Sequence, residues 1–219
     1  MNSNFEQARI LMVKNQLRPN KIKEKIILDL FQSTPKENFV PKDFKTICYS
    51  DKNINILNNR GYLKNLHLAQ IIHNAYIKKD DNVLHIGGLT GYLSSMIAQL
   101  CKKLIIIEED DKILLNLKNN LRNYNLNNIE IVKSILEKGY SSFSPYDLII
   151  IDCPLYNFKQ ELVKQLNSNQ GRLIYIEKVN DDLSKAYKLT RNNDTQNIEY
   201  LFDVFSNFAI DEIDRSFKF

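Results

Sequence analysis

The chain has 219 residues, 43% of them hydrophobic and 26% charged, a globular balance at a length suited to one domain. Its 30 Lys+Arg against 26 Asp+Glu leave a scattered formal charge of +4, too mild to argue for nucleic acid. No apolar run reaches the ~20 residues of a membrane span, and Cys48, Cys101 and Cys153 are too few and too far apart for a disulfide framework or zinc ribbon.

The opening MNSNFEQARILMVKNQLRPN lacks the apolar core of a secretory signal, so a reduced, cytoplasmic setting is expected. Residues 1–76 read as an N-terminal helical region packing on a core formed by 77–219. Phe5, Ile10, Met12, Val13 and Leu17 approximate a helical stripe ending near Arg18-Pro19. Asn20 is placed to cap a second helix carrying Ile22, Ile26, Ile27 and Leu30. An irregular stretch follows from Thr34-Pro35 to Arg60-Gly61, and Leu66 to Tyr76 is again helical.

Beyond that the pattern alternates. Val83–Ile86, Leu104–Ile107, Ile129–Val132, Leu148–Ile151 and Leu173–Ile176 are short apolar runs of the kind buried on both faces of a parallel sheet. Helical stretches are expected between and after them, at about 91–100, 112–123, 157–167 and 181–190. The alternation predicts an α/β fold with a doubly wound, mostly parallel sheet. Glu199 to Phe208, with Phe217 and Phe219, suggests one or two closing strands.

The chemistry-bearing stretch is Val83-Leu84-His85-Ile86-Gly87-Gly88-Leu89-Thr90-Gly91-Tyr92, where a strand gives way to a helix. Ligands of such sheets bind at the carboxyl ends of strands, and glycines there let the backbone approach them. The next strand ends in Glu108, placed to accept hydrogen bonds from ribose hydroxyls, while Asp110 or Asp111 suits the cap of the following helix. A dinucleotide fingerprint would require glycine where Leu89 and Tyr92 stand, which disfavours NAD. The same residues also suit a plain tight turn, with Glu108 a solvated strand end.

Other candidates weigh less. His67 and His73 lie six apart on a helix, so they form no metal pair and read as structural. Asp152-Cys153-Pro154-Leu155-Tyr156 departs from the D-P-P-Y of nucleic-acid amino-methyltransferases, although it falls at the ligand-binding edge. Cys153 reads as a small buried hydrophobe. No metal is expected.

Several stretches together resemble the protein-L-isoaspartate O-methyltransferase family, in particular its bacterial branch. They are Ala8-Arg9 through Gln16-Leu17-Arg18; Pro35 to Phe39 with Val40-Pro41; Cys48-Tyr49-Ser50-Asp51; and Asp80 to Leu84. The glycine turn ending Thr90-Gly91-Tyr92, Glu108, Pro145-Tyr146-Asp147 and Gly171-Arg172-Leu173 follow in the family's order. The resemblance implies a Rossmann-like methyltransferase core with an N-terminal helical extension. It implies S-adenosylmethionine as cofactor, held by His85, Gly87, Gly88, Leu89, Thr90, Gly91, Tyr92 and Glu108. The expected substrates are proteins or peptides bearing isoaspartyl residues, with neither nucleic acid nor membrane as partner.

The departures are specific. His85 stands where the family has an acid, Leu89 where it has glycine, Lys133-Ser134 where it has Gly-Asp, and Lys64 where its catalytic-region serine lies. No catalytic residue is therefore assigned; Arg60 and Lys64 are the cations available to a substrate carboxylate. The expected activity is carboxyl methylation of isoaspartyl residues in damaged proteins. The alternative is a catalytically degenerate member acting as a binding or regulatory module.

Overall fold

The computed structural model describes residues 2–57 and 59–211. These form a seven-stranded sheet in the order β5-β4-β3-β6-β7-β8-β9 and a separate two-stranded hairpin, β1-β2. The strands are β1 (Ile54–Leu57), β2 (Arg60–Tyr62), β3 (Asn82–Ile86), β4 (Lys103–Glu108), β5 (Ile129–Lys133), β6 (Leu148–Ile151), β7 (Asn169–Lys178), β8 (Leu183–Asn192) and β9 (Thr195–Phe205). Strands β3 to β7 run parallel, whereas β8 and β9 close the sheet as antiparallel neighbours. All five apolar runs in the sequence are strands of the parallel core.

Both faces of that core are buried, which is why the runs do not alternate with polar residues. Val83, Leu104, Ile106, Leu148 and Ile150 face one way, into a cluster shared with the N-terminal helices. Leu84, Ile86, Ile105, Ile107, Ile149 and Ile151 face the other way, onto Leu162, Val163 and Tyr146. The first face is covered by α1 (Asn2–Met12), α2 (Lys25–Ser33), α3 (Asn65–Ala75), α4 (Tyr92–Ala98) and α5 (Asp111–Leu121). The second has the short α6 (Gln160–Lys164) and single turns of 3-10 helix.

Four expectations are corrected. Residues 181–190 form β8 rather than a helix: Leu, Lys and Ala favour helix, but hydrogen bonding to β7 on one side and β9 on the other overrides that weak preference. The helix expected over 157–167 shrinks to α6. Asn20 does not cap α2; it lies in a 3-10 turn followed by Lys21 in the left-handed region, and the helix begins at Lys25. The stretch expected to be irregular contains the β1-β2 hairpin. The closing strand is β9, ending at Phe205; Phe217 and Phe219 lie outside the described residues.

Candidate active site

The glycine turn links β3 to α4 at the carboxyl edge of the sheet, and its glycines face different ways. Gly87, at φ +77°, faces the ligand side: a Cβ there would lie 3.1 Å from Arg60 Nη2 and 3.2 Å from Ile210 Cδ1. Gly88 and Gly91 face the protein. A Cβ on Gly88 would strike the Ile106 side chain, and one on Gly91 would sit 3.0 Å from Leu117 and Leu121 atoms. Gly87 thus lets Arg60 and Ile210 approach the turn closely, whereas the other two allow close helix–strand packing.

The remaining turn residues brace it from behind. Leu89 holds φ +48° and is 1% exposed, its side chain in the main core. A left-handed non-glycine residue costs ~1 kcal/mol, which burial of a leucine side chain, worth ~1.5–3 kcal/mol, offsets. Thr90 Oγ1 bonds to the Phe39 carbonyl and lies 2.8 Å from the Tyr62 hydroxyl, which accepts from the Tyr92 amide at 3.0 Å. The buried Tyr92 ring packs against Phe31, Phe39 and Tyr62. Phe39-Val40-Pro41 therefore serves as the wall supporting the turn. A cleft of about 360 Å³ opens along it, between Val40, Leu57, Thr90 and Asn116.

Glu108 is fully buried rather than a solvated strand end. Its Oε1 accepts from the Glu109 amide at 3.0 Å and from the Asp110 amide at 3.2 Å. Both oxygens are also held by Arg60, Nη1 to Oε1 at 2.6 Å and Nη2 to Oε2 at 2.8 Å. Burial pulls the Arg60 pKa down, but the bonds and charge of Glu108, aided by the charges of Cys153 and Asp152, more than compensate and hold it raised. Asp110 caps α5, accepting from the Lys112 and Ile113 amides.

His85 is completely buried on β3, its Nδ1 2.8 Å from Ser94 Oγ. Its Nε2 lies 3.3 Å from Asp152 Oδ1, and neither atom makes a hydrogen bond among the described residues. The sequence placed Asp152 in a stretch at the ligand-binding edge of the sheet but did not show its meeting with His85. The signal was the parallel register, which pairs His85 with Ile150 and Ile86 with Ile151, so that Asp152 emerges just beyond.

The two candidate substrate cations separate. Arg60 turns inward to Glu108, whereas Lys64, flanking the start of α3, points to Asp51 with its Nζ 3.4 Å from Oδ1. Lys133 bridges to Asp111 at 2.7 Å. Burial pushes the Cys153 thiol up to about 12, which suits a packing residue and not a nucleophile. His67 stacks on Phe202 and His73 lies 2.9 Å from Glu24, both structural settings.

The segment after β9 was not foreseen at the site. The Ala209 amide donates to the Asn59 carbonyl at 2.9 Å, and the Ile210 amide to the Pro154 carbonyl at 2.8 Å. The Asp211 carboxylate accepts from the Tyr156 amide at 2.6 Å and the Asn157 amide at 2.8 Å.

A nucleoside cofactor fits the groups of this frame: a side-chain-free backbone at Gly87, a strand-tip carboxylate at Glu108, and buried polar atoms on His85 and Asp152 that face each other without a hydrogen bond among the described residues. The space in front of the frame is held by Arg60 and Ile210.

The family model described as protein-L-isoaspartate(D-aspartate) O-methyltransferase matches residues 8–205. A protein-L-isoaspartate O-methyltransferase of Herpetosiphon aurantiacus is 29% identical over 174 residues, covering 80% of this chain and 77% of its own. One from Methanoculleus marisnigri is 28% identical, covering 74% of each chain. A Plasmodium falciparum relative of that description, crystallised with S-adenosyl-L-homocysteine, superposes with a TM-score of 0.78 at 15% identity, over 93% of this chain and 98% of its own. At that identity the superposition establishes the fold. Because the family model spans nearly the whole described chain, the protein belongs to the protein-L-isoaspartate(D-aspartate) O-methyltransferase family.

Proposed function

We propose that this chain methylates the carboxylates of isoaspartyl residues in proteins, using S-adenosylmethionine. The observation that carries this reading is the placement of Gly87, just past β3 with its amide on the Ile107 carbonyl, beside Glu108 at the end of the adjacent parallel strand β4, in a chain of this family. When bound, the cofactor supplies an electrophilic methyl group on a sulfonium. The chain's own residues have to bind, orient and exclude water.

Glu108 is assigned to the ribose hydroxyls and the Gly87 backbone to the adjoining part of the cofactor. Asp152, the carboxylate facing His85, is assigned to the cationic amino-acid end, the charge that His85 itself cannot supply. Leu89, Thr90 and Tyr92 act by bracing the turn. Aspartyl carboxylates in peptides titrate near pH ~3.9, so an isoaspartyl carboxylate is already ionised at neutral pH; no general base is needed and positioning carries the rate. Lys64 is the cation assigned to hold it. A cytoplasmic setting belongs to the same reading, supported by three buried free cysteines.

The test is transfer of labelled methyl from S-adenosylmethionine to a peptide with one isoaspartyl residue, beside the same peptide with aspartate. Base-labile label on the isoaspartyl peptide alone is expected. Saturable cofactor binding with no label on either peptide overturns the substrate assignment.

A further inference from the structure

The Gly87 side of the site is filled by the chain itself. The segment Ser206–Asp211 leaves β9, crosses the carboxyl edge of the sheet and is fastened along its length. Ser206 is tied by Lys178 Nζ to its carbonyl at 2.7 Å and by its amide to the Asp182 carbonyl at 2.9 Å. Phe208 is 3% exposed and packs so tightly on Gly61 that a Cβ there would fall 2.6 Å from its ring. Ala209 is bonded to Asn59, Ile210 to Pro154, and Asp211 to the Tyr156 and Asn157 amides.

The fastening points bracket Arg60. Asn59 holds Ala209 on one side of it and Gly61 holds Phe208 on the other, so the hairpin bearing Arg60 and the segment bearing Ile210 are joined. Together they bring Arg60 onto both oxygens of Glu108 and Ile210 against Gly87. A ribose needs the first of those positions, and close backbone approach needs the second.

We propose that Ser206–Asp211 and the Arg60 hairpin form an autoinhibitory latch that occupies the cofactor site and competes with the nucleoside cofactor for Gly87 and Glu108. This inference rests on the cofactor reading above. Past the Phe208 anchor the segment is held, among the described residues, by the Ile210 side chain against Gly87, by the Ala209 and Ile210 amides on the Asn59 and Pro154 carbonyls, and by the Asp211 carboxylate on the Tyr156 and Asn157 amides and the Asn157 side chain, contacts that can be released while Phe208 stays seated. Cofactor binding must then expel Ile210 and release Glu108 from Arg60, and the apparent affinity of the whole chain is lowered by the fraction of time the latch is closed.

The test pairs a variant with an exchange measurement. S-adenosylhomocysteine is titrated calorimetrically into the full chain and into the double variant Ile210→Gly, Asp211→Asn, which keeps the Phe208 anchor. At least tenfold tighter binding by the variant is expected. Binding and latch opening are reciprocal, so saturating S-adenosylhomocysteine should also speed hydrogen exchange at the Ala209 and Ile210 amides of the unaltered chain. Equal affinities, or ligand binding that leaves those amides as protected as before, overturn the latch and leave the cofactor reading intact. If neither protein binds at millimolar ligand, the cofactor reading falls and the latch with it. Should the variant fail to fold, the exchange measurement on the unaltered chain decides alone.

Discussion

Arg60 and Glu108, 48 positions apart in sequence, meet in a two-point ion pair with the carboxylate fully buried and the guanidinium nearly so. Such a pair adds little net stability when intact, because both charges have been taken out of water. Breaking it is another matter. Arg60→Ala leaves Glu108 charged and uncompensated, and Glu108→Ala does the same to Arg60, each at a cost of ~3–5 kcal/mol. The double variant should lose clearly less than the sum of the two. Urea unfolding of all four proteins measures this; strictly additive losses would show that the two residues do not act as a pair.

Lys36 offers a test by pH. It is fully buried with its Nζ 2.9 Å from Asn65 Oδ1 and 5.2 Å from the centre of the Tyr92 ring, and it has no carboxylate partner among the described residues. The nearby Glu37 carboxylate is taken by Arg9 and the Tyr49 hydroxyl. Burial lowers the Lys36 pKa from 10.5 to about 7, with Cys48 opposing weakly. Between pH 7 and 10.5 the unfolded chain therefore holds more protons than the folded one, and stability rises with pH. Cys48, pushed up to about 12 by burial, acts in the opposite sense and only above pH 9, where the unfolded chain has lost its thiol proton and the folded one keeps it, so the Lys36 effect is read below that point. From pH 7 to 8.5 the wild type should gain about 1–2 kcal/mol relative to Lys36→Met. Parallel stability curves for the two proteins would refute this.

His67 acts in a lower window. Burial, reinforced by Lys64, lowers its pKa from 6.5 to about 4, against a smaller pull from Asp51. The folded state thus favours the neutral ring, and stability falls as pH drops from 6.5 towards 4. His67→Phe keeps a ring to stack on Phe202, now at 5.7 Å between centroids. Across that window the wild type should lose about 2–3 kcal/mol relative to the variant. A constant difference between their unfolding free energies would rule the effect out.

The parallel core was legible because residues buried on both faces must be apolar, and five such runs stand clear of their surroundings. Glu108 was legible as a strand-tip acid for a related reason: the apolar run before it fixes where β4 ends. Its partner was not. Arg60 reaches Glu108 only because the hairpin carrying it lies across the sheet edge, and no local pattern encodes that placement. β8 was misread since helix propensity is local while its two strand partners are not. The return of Ile210 to Gly87 was equally hidden; Phe208 could be read as apolar, but the direction the chain takes after β9 depends on contacts with Asn59, Gly61 and Pro154.

Lys64 separates a structural from a substrate-holding role. Its ammonium lies 3.4 Å from Asp51 Oδ1 at the surface, the two side chains 26% and 57% exposed. An ion pair of that kind contributes at most ~1 kcal/mol, so Lys64→Ala should leave the melting transition nearly unchanged. If Lys64 holds the acceptor carboxylate, the same variant lowers methyl transfer to an isoaspartyl peptide by tenfold or more while S-adenosylhomocysteine binds as before. Lys64→Arg, which keeps the positive charge, should recover part of the loss. Steady-state rates at varied peptide, set beside calorimetric binding of S-adenosylhomocysteine, distinguish the cases. Unchanged turnover in Lys64→Ala removes Lys64 from the site and returns it to Asp51 as a surface charge.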